Sequence, residues 1–179
     1  MSKYSVDYLR ECFEYCQITG ELIWKTRPPH HFKSEKGHQT FNGQFAGKIA
    51  GRINNHGYYR VTINGKDMLN HRVVVAITSG VIPDNEVDHI NGIRTDNRIE
   101  NLRVVSRQIN AKNLRMNAKN TSGISGVSWN KRKEKWKSVI WMNCLEIHLG
   151  YFESIVDAFN VRVIAEVNMG YHKNHGRVP

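Results

Sequence analysis

Residues 87–110 read VDHINGIRTDNRIENLRVVSRQIN. With Glu86 in front, EVDHI (86–90) reads as a short strand. NGIRTDN (91–97) is turn chemistry throughout, and NLRVV (101–105) is a second strand. Ser106 is placed to cap a helix that carries Gln108, Asn110 and Leu114. One short segment therefore holds strand, loop, strand and helix in that order.

The residue types in this segment suggest chemistry. Asp88 and His89 are adjacent, so on a strand their side chains point to opposite faces, and a pair serving one site must sit at the strand's end. The Asp88 carboxylate and the Asn110 amide oxygen are donors for a hard cation, with water and phosphate supplying the rest. An imidazole such as His89 has the intrinsic pKa to take a proton from water near neutrality. A base, an ion and a group to orient the base are the parts that phosphodiester hydrolysis needs.

In order and spacing, DH at the end of the first strand, DNRIENLR (96–103) in the loop and SRQIN (106–110) opening the helix resemble the HNH nuclease motif. That motif is the ββα-metal core of many phage and homing endonucleases. The resemblance implies His89 as general base, Asp88 and Asn110 as metal ligands, and Asn101 orienting the His89 imidazole. It also implies that Asn97 ties the loop together through bonds to backbone. Asn110 stands where the literal motif has His, which makes the donor set all-oxygen and favours Mg²⁺ or Mn²⁺ over Zn²⁺ or Ni²⁺. The activity implied is site-specific DNA cleavage of the homing or phage type. One site per chain nicks one strand, so cutting both strands needs a dimer or two visits. The alternative is a DNA-binding regulator that does not cleave.

On the N-terminal side, Val6, Leu9, Phe13 and Cys16 are spaced for one helix face that Thr19-Gly20 stops. ELIWK (21–25) reads as a strand, and 26–45, with its prolines and His30-His31 pair, as loop. GYYRVTINGKDMLNH (57–71) reads as a hairpin turning on Asn64-Gly65, and HRVVVAITSG (71–80) as a helix ending at Gly80. His71 is placed as a helix-start residue, with the rim of the site as its other reading. His30, His31, His172 and His175 read as solvated loop residues.

On the C-terminal side, NAKNTSGISG (117–126) has linker composition. GVSWN (126–130), KWKSVIWMN (135–143) and EIHLGYF (146–152) read as three strands, with KRKE (131–134) as a turn. Trp136, Ser138, Ile140 and Met142 alternate with Lys137, Val139 and Trp141. A helix follows: Ser154 and Asp157 have capping-box spacing, Ile155, Phe159, Val163 and Val167 mark its packing face, and Gly170 lies past its end. This segment is similar to the Apetala-two/ethylene-response-factor type of DNA-binding domain, with LGYF (149–152) and the strand spacing its firmest part. In that family the sheet enters the major groove, which implies Asn130, Arg132, Lys137, Trp141 and His148 as the DNA-facing set. Ser128, Val139 and Trp141 stand where that family carries arginines, so its base preference does not transfer. Trp129 and Trp136 are expected in or near the core.

The 179 residues hold 26 Lys and Arg against 16 Asp and Glu, a formal charge of +10. That excess points to a polyanion partner, and double-stranded DNA fits it. The charge is concentrated between Arg103 and Lys137, where Glu134 is the only acid. Arg103, Arg107, Lys112, Arg115 and Lys119 are placed to meet phosphates. Cys12, Cys16 and Cys144 form no C-x-x-C pair and are expected as reduced thiols. No apolar run approaches a membrane span and the N-terminus does not read as a signal peptide, so a cytoplasmic protein, in the host cell if phage-encoded, is expected. The expected fold is α+β. Its parts are an N-terminal support region (1–83), a ββα core (84–114), a basic linker (115–125) and a sheet-plus-helix domain (126–179).

Overall fold

The computed structural model describes residues 4–114, 116–143 and 145–177. Arg115 and Cys144 lie outside the described residues. The fold is α+β, as expected, and the chain divides into two compact units, Met1–Val105 and Ser106–Pro179.

The first unit opens with α1 (Val6–Cys12), capped by the Ser5 hydroxyl, which accepts the Tyr8 N–H. The helix stops earlier than the spacing of Phe13 and Cys16 suggests. Phe13–Tyr15 instead forms β1, paired antiparallel with β2 (Leu22–Trp24), and Phe13 packs on Trp24 at 4.5 Å between ring centroids. The aromatic pair across two strands takes Phe13 out of the helix, since both rings bury better that way.

The segment expected as loop holds a 3-10 turn (Pro29–His31) and α2 (Glu35–Phe45). Ser34 caps α2 through the Gly37 N–H. Nothing on α2 is buried, but Phe41 and Phe45 pack against the core from outside, both beside Trp24. Arg27, 2% exposed, sits among these rings. Its guanidinium lies 4.7 Å from Phe32 and 4.8 Å from Phe41, and donates to Tyr8 Oη and Asn64 Oδ1.

β3 (Arg52–Ile53), β4 (Tyr59–Ile63) and β5 (Lys66–Leu69) form an antiparallel sheet in the order β3-β4-β5. The β4–β5 turn is Asn64-Gly65, with φ of 45° and 75°, the two positive values that a tight I′ hairpin requires. α3 (Asn70–Ser79) buries Val73, Val74, Val75 and Ala76, so packing overrides the strand preference of its β-branched run. β6 (Glu86–His89) pairs antiparallel with β7 (Leu102–Val105), setting Asp88 opposite Arg103 and His89 opposite Leu102.

No boundary falls at residue 83. Val87 and Leu102 belong to the same core as Leu9, Leu22, Ile63 and Val74, and α3 packs on β6. A two-stranded hairpin is too small to bury its own apolar face, so the N-terminal elements supply that core.

In the second unit Ser106 caps α4 (Arg107–Ala111), accepting the Ile109 N–H; the helix ends before Leu114. β8 (Val127–Asn130), β9 (Lys135–Met142) and β10 (Leu145–Phe152) form an antiparallel sheet in the order β10-β9-β8, and α5 (Ile155–Asn168) packs across it. The face α5 presents differs from the expected stripe. Ala158, Arg162 and Ala165 are buried, whereas Phe159 and Val167 are 43% and 74% exposed. Alanines let the helix backbone approach closely enough for Ser138 Oγ to donate to Ala158 O at 3.1 Å. Arg162 enters the same seam by donating to Val139 O and to Glu166. Trp129 is also more open than expected, 47% exposed although it packs edge-on against Trp136.

The expected linker is built into this unit. The Met116 N–H donates to Arg177 O, Gly176 N–H to Leu114 O and His172 N–H to Lys112 O. The Ser122 hydroxyl and the Asn120 amide close the next turn on Ile124 O. Asn and Ser in such a run read as flexible, but their side chains also make local backbone bonds that order it. No helix among the described residues is long and apolar enough to cross a membrane.

Candidate active site

β6 ends at His89, as a working pair at a strand end requires. His89 is 3% exposed and Asp88 9%. His89 Nε2–H donates to Asn97 Oδ1 at 3.0 Å, which orients the ring and keeps the neutral ring's proton on Nε2. Burial pushes the His89 pKa below the ordinary imidazole value, while the Asn97 bond and the charges of Asp88 and Asp96 pull the other way.

The two asparagines exchange the roles expected of them. Asn101, not Asn97, ties the loop: its Oδ1 accepts the Asn91 N–H at 2.9 Å and its Nδ2 donates to Asp96 O at 2.8 Å. The Asn101 carbonyl also accepts the Ile90 N–H. These bonds pin the start of the loop to its end, so Asn101 faces the loop backbone, and the ring is left to Asn97.

Asp96 adds a second clasp. Arg98 donates to both its carboxylate oxygens at 2.8 Å, and Asn91 Nδ2 donates to Oδ2. Arg98's bonds, with those of Asn91, hold the Asp96 carboxyl down to about 2. The N-terminal hairpin grips the loop from outside: Tyr15 Oη accepts the Ile99 N–H and donates to Asn97 O. No local sequence signal marks Tyr15, because its partners lie more than eighty residues away.

Gly20 makes the other contact with this loop. Its φ is +78°, and a Cβ there would stand 2.6 Å from Arg98 N and 2.7 Å from the Asn97 carbonyl carbon. We expect Gly20→Ala to cost about 2–4 kcal/mol, from the left-handed backbone and the displaced loop together. It should also slow any reaction that depends on Asn97. A thermal melt and a rate on the same variant check this; an unchanged melting temperature would contradict the close approach.

Asp88 meets Arg103 across the strand pair. Arg103 Nε and Nη2 both donate to Asp88 Oδ2, at 3.0 and 2.8 Å. Arg103 is therefore committed to the expected metal ligand rather than to a phosphate. Lys112 is likewise engaged, donating to Met169 O. Arg107 and Lys119 are exposed, and Asn110 is half-buried on α4.

On the second unit's sheet, Lys137 and Trp141 share a face with His148, which pairs with Val139. Trp141 is 54% exposed. Lys137 pairs with Glu146 at 2.6 Å, and Glu146 stands beside Trp141 on that face. Arg132 is in the exposed turn, while Asn130 Oδ1 accepts the Lys133 N–H and so shapes that turn.

Glu11, His30 and His31 also cluster, with His31 Nε2 2.7 Å and His30 Nε2 3.2 Å from Glu11 Oε2. Arg27 Nε donates to His31 Nδ1 at 3.2 Å, and an arginine always carries its proton. His31 Nε2 therefore holds the ring's proton and donates it to Glu11. That hydrogen-bonded arrangement leaves no lone pair there for a cation.

Residues 69–112 match the family model described as HNH endonuclease. The chain is 34% identical over 71 residues to Protein 3.8 of Escherichia phage T7, covering 39% of this chain. It spans 59% of that relative's length. Among solved structures, the HNH homing endonuclease I-HmuI, described for DNA binding and cleavage, aligns at 27% identity with a TM-score of 0.39. That alignment covers 63% of this chain and 57% of the other.

Proposed function

We propose that this chain is a metal-dependent, site-specific DNA endonuclease of the homing or phage type. The observation that carries the proposal is the buried His89, held by Asn97 at the end of β6, within the segment matched by the HNH endonuclease model. His89 acts as general base and accepts a proton from the water that attacks phosphorus. Asn97 orients the ring, and Asn101 and the Asp96–Arg98 clasp hold the loop that carries Asn97.

The donors fit a hard divalent ion. Asp88 is the carboxylate ligand, and Asn110, from its spacing in the motif, is the amide ligand. Mg²⁺ or Mn²⁺ bound there would stabilise charge on the phosphate and on the leaving oxygen. Arg103 shares the Asp88 carboxylate and keeps it aligned. Hydrolysis in this sense leaves 5′-phosphate and 3′-hydroxyl ends. Plasmid nicks made by the protein should therefore be sealed by DNA ligase without end repair; nicks that resist ligation would overturn the chemistry.

The second unit supplies duplex recognition through its open sheet face, with Trp141, His148 and Arg132 as contacts, in the manner of an Apetala-two-like domain. Arg107 and Lys119 add phosphate contacts. With about three phosphates neutralised, the logarithm of the binding constant should fall with the logarithm of salt at a slope of about −3. A nearly flat salt titration would contradict this interface. Competition between duplex DNA and duplex RNA of one sequence should favour DNA.

Arg103 on Asp88 favours one other reading, a regulator that binds DNA without cutting it. An arginine that keeps the carboxylate from the ion would leave the second unit's binding intact and the first unit silent.

A further inference from the structure

His71, at the start of α3, is unused by the mechanism above and is 4% exposed. Its ring meets the His89 ring edge-on, with centroids 4.9 Å apart and planes at 82°. Tyr58 packs against both imidazoles, at 5.4 Å from His71 and 5.8 Å from His89. Its Nδ1 is buried without a hydrogen-bond partner. Burial, with the charges of His89 and Arg72, pushes its pKa down to about 3, so the ring is neutral at any working pH.

A buried polar atom left unpaired costs about 1–3 kcal/mol, which a leucine or phenylalanine at the same place would avoid. Packing alone therefore does not account for an imidazole here. Hydrogen bonding within the protein does not account for Nδ1 either. The remaining use is a bond formed when something else enters, and the neighbour is the proposed base.

Resting on the nuclease reading, we propose that His71 is a second working imidazole of this site. Its Nδ1 is kept for a hydrogen bond to a substrate-side oxygen beside His89. That oxygen belongs either to the phosphodiester or to the water that attacks it. A neutral ring is suited to this because it adds no positive charge to repel the His89 imidazolium as it forms. The edge-on packing also limits the directions the His89 ring can take.

The test compares full-length wild type, His71→Asn, His71→Gln and His71→Leu on a duplex substrate, with kcat, KM and a thermal melt for each. Asn places a polar atom where Nδ1 stands; Gln reaches the Nε2 position instead; Leu fills the space without a polar atom. His71→Leu should be slowed about 10- to 100-fold while melting no lower than wild type. His71→Asn should keep most of the activity, and His71→Gln should resemble Leu. A fall confined to kcat places the oxygen on the attacking water, and a rise in KM places it on the phosphodiester. His71→Leu cleaving at the wild-type rate would overturn this inference alone. So would Asn and Leu losing activity in step with their melting temperatures, since that marks packing only. A wild type that does not cleave overturns the nuclease reading, and this inference with it.

Discussion

His89→Ala should lower the single-turnover rate of DNA cleavage by about 10²–10⁴-fold, the range over which a positioned general base contributes. Affinity for duplex DNA should stay within a few-fold of wild type, because the charged contacts proposed for binding lie elsewhere. The side chain is buried against Asn97, His71 and Tyr58, so truncation also opens a void. His89→Gln separates the two effects: it keeps volume and a polar group but does not accept the proton. Equal loss in both variants, with both folded by thermal melt, assigns the effect to the base. Recovery of the rate in His89→Gln would assign it to packing.

The second large effect separates the two asparagines. Asn101→Ala removes the bonds to the Asn91 N–H and to Asp96 O and leaves both half-buried partners in the loop without them. The expected cost is roughly 2–4 kcal/mol, which for a unit of this size lowers the melting temperature by roughly 10 °C or more. Cleavage falls with it because the loop carries Asn97. Asn97→Ala instead loses one bond to His89, while the loop keeps its ties through Asn101, Tyr15 and Asp96. Its rate should fall about 10- to 100-fold with a smaller change in melting temperature. Should Asn97→Ala prove the more destabilising of the two and Asn101→Ala the more selectively inactive, the roles assigned to them would be reversed.

Much of the hairpin was legible because its signals are local. β-branched residues mark β7, Ser106 marks the start of α4, and Asn64-Gly65 marks the β4–β5 turn. The three strands and the helix of the second unit were legible for the same reason. α2 was not, because Gly37, Gly43 and its polar residues give no apolar period; only the Ser34 cap announces it. The packed face of α5 was misread because the bulkier stripe looks like a core. The sheet accepts the alanine stripe, where the backbone comes closer.

Within the site, Asp88 and His89 could be placed at a strand end from sequence, but which asparagine meets the imidazole could not. That depends on the path of the twelve-residue connection from Ile90 to Asn101, between β6 and β7, which Tyr15 and Gly20 set from far away in the chain. The Arg103–Asp88 pair follows from the strand register once known, since directly opposed residues share a face. Residue type alone put Arg103 among the phosphate contacts.

The central claim is that this chain hydrolyses DNA with the help of a divalent ion, and a supercoiled plasmid carrying the native flanking DNA tests it most directly. With Mg²⁺ or Mn²⁺ the wild-type protein should convert the plasmid to open circle or linear form, and EDTA should prevent it. A plasmid that stays supercoiled under every ion while the protein binds it tightly would contradict the account and leave a DNA-binding regulator in its place.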